Sequence, residues 1–233
     1  MRFDLITIFP DYFASFLAQG VVGRAAAAGL LQVVIHNLRD YAPAPHHITD
    51  DRPFGGGEGM VMKPEPIYHC LAAILGREPG RAEADEPTRV YLLSAQGARF
   101  DQACARRLAR LERLVLICGR YEGVDERIAE NYVDNELSIG DFVLSGGELP
   151  AALVLDAVGR LVPGVLGDAQ SAINESFAAE APTQLDCPHY TRPIDFRGHV
   201  VPEVLRQGNH AAIAQWRGQQ ALRKTERRAK LDV

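Results

Sequence analysis

Residues 114–123 read LVLICGRYEG, and this stretch decides the fold. Its first five residues are all apolar, so both faces of an extended strand would be hydrophobic. That pattern is typical of a parallel strand buried between two layers of helices, because a strand with one solvated face alternates apolar and polar residues. Gly119 and Gly123 follow directly, and glycine lets the main chain approach a ligand closely. The stretch therefore predicts a central strand that leads into a ligand-binding loop.

Other short apolar segments have the same character, and amphipathic segments lie between them. The predicted strands are residues 3–8, 31–36, 89–93 and 114–118. The predicted helices are residues 10–20, 64–75, 101–111 and 149–161. This alternation predicts an α/β domain with a parallel sheet and helices on both of its faces.

The pattern changes after residue 163. Residues 164–182 mix Gly, Ala, Ser, Asn and Glu without a clear period, and a short polar segment then leads into a basic end. We therefore predict three parts, namely an α/β domain at 1–163, an interdomain linker at 164–182, and a small, mainly helical C-terminal domain at 183–233.

Composition narrows the class of protein. The 233 residues are 47% hydrophobic and 24% charged, which excludes a disordered chain, a collagen-like repeat and a coiled coil. No apolar run approaches the roughly 18 residues of a membrane span, and Asp4 and Pro10 interrupt the place where a signal peptide is apolar. We expect a cytoplasmic protein without a membrane partner. The four cysteines form no metal-binding CxxC pair, so we expect reduced thiols and no metal site.

Charge is distributed unevenly along the chain. Residues 201–233 carry seven basic and three acidic groups, so this end is +4 while the whole chain is −5. A basic end on an acidic body is typical of a phosphate-binding surface, but a solvated helix face has the same composition. Composition alone leaves both interpretations open.

Glycine-rich segments are the most informative motifs. GGGEG at 55–59 lacks the spacing of a dinucleotide-binding turn, and no Gly-Lys pair precedes Ser or Thr, so there is no P-loop. Without a P-loop, the likeness of LSGGE at 144–148 to an ABC-ATPase signature does not indicate ATP binding. Glycine-containing loops at 94–97, 119–123 and 138–150 follow strands or lead into a helix. Together they predict one shared crevice at the carboxyl ends of the strands.

Five longer motifs identify a family resemblance that covers nearly the whole chain. They are DDRPFGGGEGM (50–60), CGRYEGVDER (118–127), SIGDFVLSGGELP (138–150), PGVLG (163–167) and DCPHYTRP (186–193). In this order and at these spacings they resemble the bacterial tRNA (guanine-N1)-methyltransferases of the trefoil-knot superfamily. The resemblance implies a knotted α/β domain, which periodicity could not have predicted, because chains rarely thread their own loops.

The resemblance also implies an activity and its partners. The expected enzyme is a cytoplasmic homodimer that transfers a methyl group from S-adenosylmethionine to N1 of the guanine immediately 3′ of the anticodon in tRNA, with a suggested role for Mg²⁺. Carried over by position, the donor-binding residues are Leu92, Leu93, Ser94, Gly119, Tyr121, Glu122, Gly123, Ser138, Ile139, Gly140, Asp141, Phe142, Val143, Leu144, Gly146, Gly147 and Pro150. Apolar side chains would enclose the adenine, and glycine backbone would supply polar contacts.

The chemistry of the reaction suggests which groups act on the guanine. Its N1 carries a proton and is a poor nucleophile until that proton leaves, so a carboxylate base and a cation facing O6 are both useful. The resemblance assigns the cation to Arg160, whose alternative is a surface cation at a helix end. It assigns the base to Glu175, where relatives usually have aspartate. Asp168 is a second, less favoured candidate for the base.

Aromatic and cationic residues near the C-terminus suggest contact with unpaired RNA bases, which proteins hold by stacking and phosphate contacts. The predicted RNA-binding residues there are His189, Tyr190, Arg192, His210, Trp216 and Arg217, and Arg52 beside the glycine segment 55–59 is expected near the substrate base. Core aromatics with surface arginines are the alternative.

Two other functions remain open at this point. One is a knotted methyltransferase acting on another RNA or base atom, and the other is a catalytically impaired RNA-binding relative, which Glu175 at the base position suggests.

Overall fold

The computed structural model describes residues 1–167, 175–178 and 181–230. The chain divides into two compact units, residues 1–167 and 168–233. Among the helices of the described residues, none combines the length and apolarity needed to cross a membrane.

The first unit is an α/β domain built on a parallel sheet. Its strands are β1 (Arg2–Thr7), β2 (Gln32–Asn37), β3 (Asp50–Asp51), β4 (Val61–Met62), β5 (Thr88–Arg99), β6 (Arg113–Cys118) and β7 (Asn135–Ser138). Five of them form one sheet in the order β2-β1-β6-β5-β7, with every neighbouring pair parallel. The short strands β3 and β4 form a separate two-stranded antiparallel sheet. The predicted fold class of α/β with a parallel sheet is therefore confirmed.

Helices cover both faces of this sheet. They are α1 (Ala14–Leu17), α2 (Gly20–Ala27), α3 (Pro64–Leu75), α4 (Gln102–Leu108), α5 (Glu126–Asn131) and α6 (Glu148–Gly159). On one face Leu114 and Leu116 of β6 join a buried cluster with α2, α4 and α6, and on the other Val115 and Ile117 join a cluster with α3 and α5. The strand is thus buried on both faces, as its unbroken apolar run predicts.

The structure corrects the helix predicted at residues 10–20. This segment contains a 3₁₀ turn at Pro10–Phe13 and the short helix α1, and Gly20, expected to stop a helix, begins α2. The reason is a sharp turn followed by close packing. Gly20 has a φ of +69°, and a Cβ on Gly23 would lie 2.8 Å from the carbonyl oxygen of Leu17. Glycine at these two positions permits a second helix where sequence alone indicates an end.

Strand β5 is longer than predicted and changes register along its length. It pairs with β7 up to Leu93 and again from Ala98, with an irregularity between them. Gly97 is essential to this arrangement, because a Cβ there would lie 2.4 Å from the carbonyl carbon of Glu136. The irregular segment contributes Ser94, Ala95 and Gln96 to the lining of a cavity.

The second unit is smaller. Its described residues contain an antiparallel hairpin of β8 (Asp195–Phe196) and β9 (His199–Val200), a 3₁₀ turn at Glu203–Leu205, and the helix α7 (His210–Ala229). The Asn209 side chain caps α7 by accepting a hydrogen bond from the backbone N–H of Ala212 at 3.1 Å. Thr225 on this helix accepts a hydrogen bond from the backbone N–H of Leu185 at 2.9 Å, which ties the helix to the preceding chain.

A buried carboxylate organises charge in the first unit. The side chain of Asp4 is fully buried in β1 and accepts hydrogen bonds from Arg2 at 2.8 Å and Arg113 at 2.7 Å, and it pairs with His36 Nε2 at 2.7 Å. Burial alone would raise the pKa of the Asp4 carboxyl. The hydrogen bonds from His36, Arg2 and Arg113 outweigh that effect and hold this pKa well below its ordinary value.

Replacing Asp4 should expose the contribution of this network to stability. We expect Asp4→Asn to lower the free energy of unfolding by about 2–4 kcal/mol at neutral pH, less than for a fully buried pair because its partners reach solvent. The depressed pKa means that the wild-type contribution is complete above about pH 5 and is lost as pH falls below the unfolded-state pKa of about 3.9. Urea unfolding measured from neutral to acidic pH tests both expectations.

The matched control is Asp85→Asn, which changes an exposed carboxylate in the loop before β5. It should leave the free energy of unfolding within about 0.5 kcal/mol of wild type. Equal stability of wild type and Asp4→Asn at neutral pH would contradict the assigned role of Asp4.

Candidate functional site

A cavity of about 270 Å³ lies at the carboxyl ends of β6 and β7, beside the irregular part of β5. Three segments form most of its walls, namely residues 94–96 in the irregular part of β5, the loop at 119–123, and the loop at 139–147 apart from Asp141. Ligands of parallel α/β sheets bind at this edge, because successive strands all deliver their following loops to it. The glycine-containing loops singled out in the sequence therefore meet at one place.

Sixteen of the seventeen residues predicted to bind the methyl donor line this cavity. Asp141 is the exception, being exposed and absent from the lining. Residues that the prediction missed also line it, namely Ala95, Gln96, Arg120, Val124, Glu126, Ala129, Glu136, Leu137 and Ser145. A signal for several of them was available, because they lie within or beside the glycine motifs.

The two glycine loops after β6 and β7 are held together through their main chains. The N–H of Gly147 donates to the carbonyl oxygen of Gly119 at 2.8 Å, and Arg120 and Gly146 form an antiparallel bridge. A Cβ on Gly147 would lie 2.6 Å from the Cα of Cys118. Only glycine at position 147 allows this approach, so the cavity depends on it.

A buried ion pair reinforces the same junction. Glu148, at the start of α6, is fully buried and accepts a hydrogen bond from the Thr7 hydroxyl at 2.6 Å. Its other carboxylate oxygen accepts from Arg120 Nε at 2.8 Å and lies 2.7 Å from Arg120 Nη2. Arg120 also donates to the carbonyl oxygen of Ser145 at 3.1 Å and lies over the Phe9 ring. The ends of β1 and β6 and the start of α6 are thereby linked through three side chains, those of Thr7, Glu148 and Arg120.

The GGGEG segment lies beside the cavity loop at 119–123. The N–H of Glu122 donates to the carbonyl oxygen of Met60 at 3.0 Å, and a Cβ on Gly59 would lie 2.5 Å from the Glu122 carboxylate. Tyr121 has a φ of +61°. Burial, followed by the nearby Asp50 carboxylate, raises the pKa of the Tyr121 hydroxyl, which therefore stays protonated at neutral pH.

The structure gives a position for two of the three predicted catalytic residues. Arg160 is half-buried at the C-terminal end of α6, where its N–H donates to the carbonyl oxygen of Asp156. Glu175 belongs to the second unit and is half-buried. Asp168 lies outside the described residues. Their roles stay predictions.

The predicted RNA-binding residues fall mostly in the second unit, whereas Arg52 is exposed in the first. A cavity of about 410 Å³ in the second unit is lined by His189, Tyr190, Arg192 and Arg217 together with aliphatic side chains. The Tyr190 and Trp216 rings pack with centroids 6.2 Å apart. His210, the first residue of α7, is exposed and outside this lining.

One group of possible metal ligands occurs among the described residues, formed by Asp186, Cys187 and His189. The Asp186 carboxylate pairs with His189 Nε2 at 2.8 Å. Burial alone would raise the pKa of the Asp186 carboxyl, but its hydrogen bonds to His189 and Cys187 lower it overall. Burial raises the pKa of the Cys187 thiol. The three residues are therefore explained without a metal ion, as an aspartate–histidine pair beside a neutral thiol.

Comparison with known proteins identifies the family. The sequence model of the family described as tRNA (Guanine-1)-methyltransferase TrmD matches residues 1–232. The chain belongs to this family.

Curated relatives carry the name of the same enzyme family. A tRNA (guanine-N(1)-)-methyltransferase of Koribacter versatilis is 54% identical over 238 residues, covering 97% of this chain and 89% of the relative. The enzyme of that name from Stenotrophomonas maltophilia strain R551-3 is 54% identical over 98% of this chain and 88% of its own. That of Geobacter metallireducens is 49% identical, with coverage of 97% and 89%. The family resemblance predicted from five motifs is confirmed, and the chain is a member of a methyltransferase family.

Gly147 provides a direct test of how the methyltransferase cavity is built. Gly147→Ala places a Cβ against the main chain of Cys118, so the two loops must separate. We expect the free energy of unfolding to fall by about 1–3 kcal/mol, the usual cost of overpacking. Urea unfolding followed by circular dichroism measures this change.

Gly80→Ala is the matched control, since a Cβ there meets open space. It should be neutral or stabilising by up to about 1 kcal/mol. The close approach would be unimportant if both alanine variants unfolded at the same urea concentration.

Proposed function

We propose that this protein transfers a methyl group from S-adenosylmethionine to N1 of the guanine immediately 3′ of the anticodon in tRNA. The observation that carries the proposal is the strand-end cavity, whose lining contains nearly all the residues that the family motifs assign to the donor. The names of the curated relatives support the target base and atom.

The cavity has the chemistry to hold such a donor. Leu92, Ile139 and Pro150 offer apolar walls for an adenine ring, and the main chain around Gly119 and Gly147 offers hydrogen-bonding groups. A Cβ at Gly147 would meet the main chain of Cys118 and Gly119, so glycine there lets the loop before α6 close against the end of β6 and complete the cavity wall. When bound, S-adenosylmethionine supplies an electrophilic methyl group on a positively charged sulfur.

The protein's own groups would act on the guanine. In our proposal the Glu175 carboxylate accepts the proton from N1, and the freed lone pair forms the new N–CH₃ bond as the S–CH₃ bond breaks. Arg160 faces O6 and stabilises the negative charge that develops there. Asp168 is the alternative base. The acid at position 175 keeps the required basicity although its side chain is one methylene longer than the usual aspartate.

The family also supports a finer architecture. We propose a trefoil-knotted domain at 1–163, a linker at 164–182 and a tRNA-binding domain at 183–233, assembled as a homodimer in the cytoplasm. Exposed apolar side chains near the cavity, among them Val143, Leu149 and Leu153, support an interface in the first unit. Dependence on Mg²⁺ stays a prediction of the resemblance alone.

Transfer of labelled methyl groups from S-adenosylmethionine to bulk tRNA, followed by mapping of the modified base, tests the function directly. Label at N1 of the guanine 3′ of the anticodon is the expected result. Label at another base or atom would favour a different RNA methyltransferase. Donor binding without transfer to any tRNA would indicate the catalytically impaired relative.

Glu175→Gln tests the assigned base. The amide keeps the size of the side chain but cannot accept the N1 proton, so single-turnover methyl transfer should fall about 10²-fold or more. Affinities for S-adenosylmethionine and tRNA should change little. Rapid-quench measurement with saturating enzyme gives the rate, and equilibrium titrations give the affinities.

Two further variants separate the candidates. Glu175→Asp restores the acid usual in the family and should stay active. Asp168→Asn should stay active if Glu175 is the base. A full rate for Glu175→Gln with a large loss for Asp168→Asn would transfer the role to Asp168.

The basic helix α7 is the proposed contact for tRNA phosphates. Deleting residues 215–233 would remove Ala221 and Thr225, which pack and hydrogen-bond inside the second unit, so point variants are the better test. The double variant Arg223→Gln/Arg227→Gln changes two exposed cations of this helix. It should weaken tRNA binding and reduce the slope of log Kd against log salt by about 1–2.

The control changes two exposed arginines of the first unit, Arg81→Gln/Arg110→Gln, which alters net charge by the same amount. Filter-binding titrations at several salt concentrations compare the two. An identical salt slope for wild type and the α7 variant would favour the solvated helix face over a phosphate-binding surface.

A further inference from the structure

The charges around the donor cavity are unequal. Three acidic residues line it, namely Glu122 and Glu126, which are exposed, and Glu136, which is half-buried. Arg120 is the one cation among the lining residues, which all lie within the fully described range 92–150. Whether the cavity is negative or nearly balanced therefore depends on what compensates the Arg120 charge.

Glu148 compensates that charge from outside the cavity. It is fully buried and does not belong to the lining, yet one of its oxygens accepts from Nε of Arg120 and pairs with Nη2, at 2.8 and 2.7 Å. Its other oxygen is held by the Thr7 hydroxyl, which fixes the orientation of the carboxylate. Paired charges in a low-dielectric setting cancel each other's field at longer range. The three lining carboxylates are left to determine the sign of the potential.

The methyl donor and its product differ in charge. S-adenosylmethionine has a sulfonium, an ammonium and a carboxylate, with a net charge of +1. After methyl transfer the sulfur is a neutral thioether, and the product S-adenosylhomocysteine has no net charge. A cavity with negative potential therefore favours the donor over the product.

We propose that Glu148 is a positioning and charge-balancing residue, which holds Arg120 at the junction of the two loops and cancels its charge so that the cavity prefers the positively charged donor over the neutral product. This inference rests on the proposed function. Glu148 acts through Arg120 and touches neither ligand.

The experiment measures Kd for both ligands by isothermal titration calorimetry, using wild type, Glu148→Gln and Glu148→Gln/Arg120→Gln. In Glu148→Gln the Arg120 charge is uncompensated, so the ratio of donor Kd to product Kd should rise about 5-fold. In the double variant that charge is gone, so the ratio should return towards wild type although the loss of the ion pair weakens both ligands.

A residue that only supports the loops would not change this ratio. The inference would be overturned if Glu148→Gln raised the Kd of both ligands by the same factor and the double variant left the ratio of the two Kd values unchanged. High salt provides a second readout, because screening should reduce the wild-type preference for the donor. A wild-type protein that binds neither ligand would instead refute the proposed donor site, so the two failures are distinguishable.

Glu136→Gln keeps the inference testable if Glu148→Gln fails to fold. Glu136 lines the cavity and is half-buried, and it takes no part in the ion pair between Glu148 and Arg120. Removing its charge should shift the ratio of donor Kd to product Kd in the same direction as Glu148→Gln. An unchanged ratio would show that the lining carboxylates do not set the preference.

Discussion

The approach of Gly147 to the end of β6 is the constraint on which the site depends. The N–H of Gly147 bonds to the carbonyl oxygen of Gly119, and the position has no room for a side chain against Cys118. This contact brings the loop that precedes α6 onto the loop that follows β6. The cavity walls, the Arg120–Glu148 ion pair and the start of α6 all follow from that one meeting of main chains.

Much of the fold was predictable from local pattern. The apolar run 114–118 correctly indicated a strand buried on both faces, and α3 begins and ends where its sequence predicts, at Pro64 and Leu75. Strand β7 escaped prediction because it has only four residues, and its place at the edge of the sheet comes from pairing with β5. Helix α2 escaped because Gly20 indicates a helix end locally, whereas in the structure Gly20 adopts a positive φ at a turn and Gly23 lets α2 approach the end of α1.

In the candidate site, too, some features follow from local sequence and others only from tertiary contacts. Glycine loops were recognisable because their composition is unusual, and the family motifs supplied the donor-facing residues. The ion pair was not recognisable, since Glu148 appears in sequence as an ordinary first-turn acid of a helix. Its hydrogen bond to Thr7 spans 141 positions, and no local period reports such a contact. Long-range polar contacts of this kind are fixed by the completed topology.

The walls at Gly119, Gly146 and Gly147 consist of main chain, and this has a consequence for inhibitors. An inhibitor that hydrogen-bonds to peptide groups contacts atoms that every amino acid possesses. Resistance usually arises when a side chain in contact with a drug is exchanged. At Gly147 such an exchange would drive a Cβ into the Cys118 backbone and damage the enzyme itself. Compounds anchored on this backbone therefore address a surface with few tolerated escape mutations.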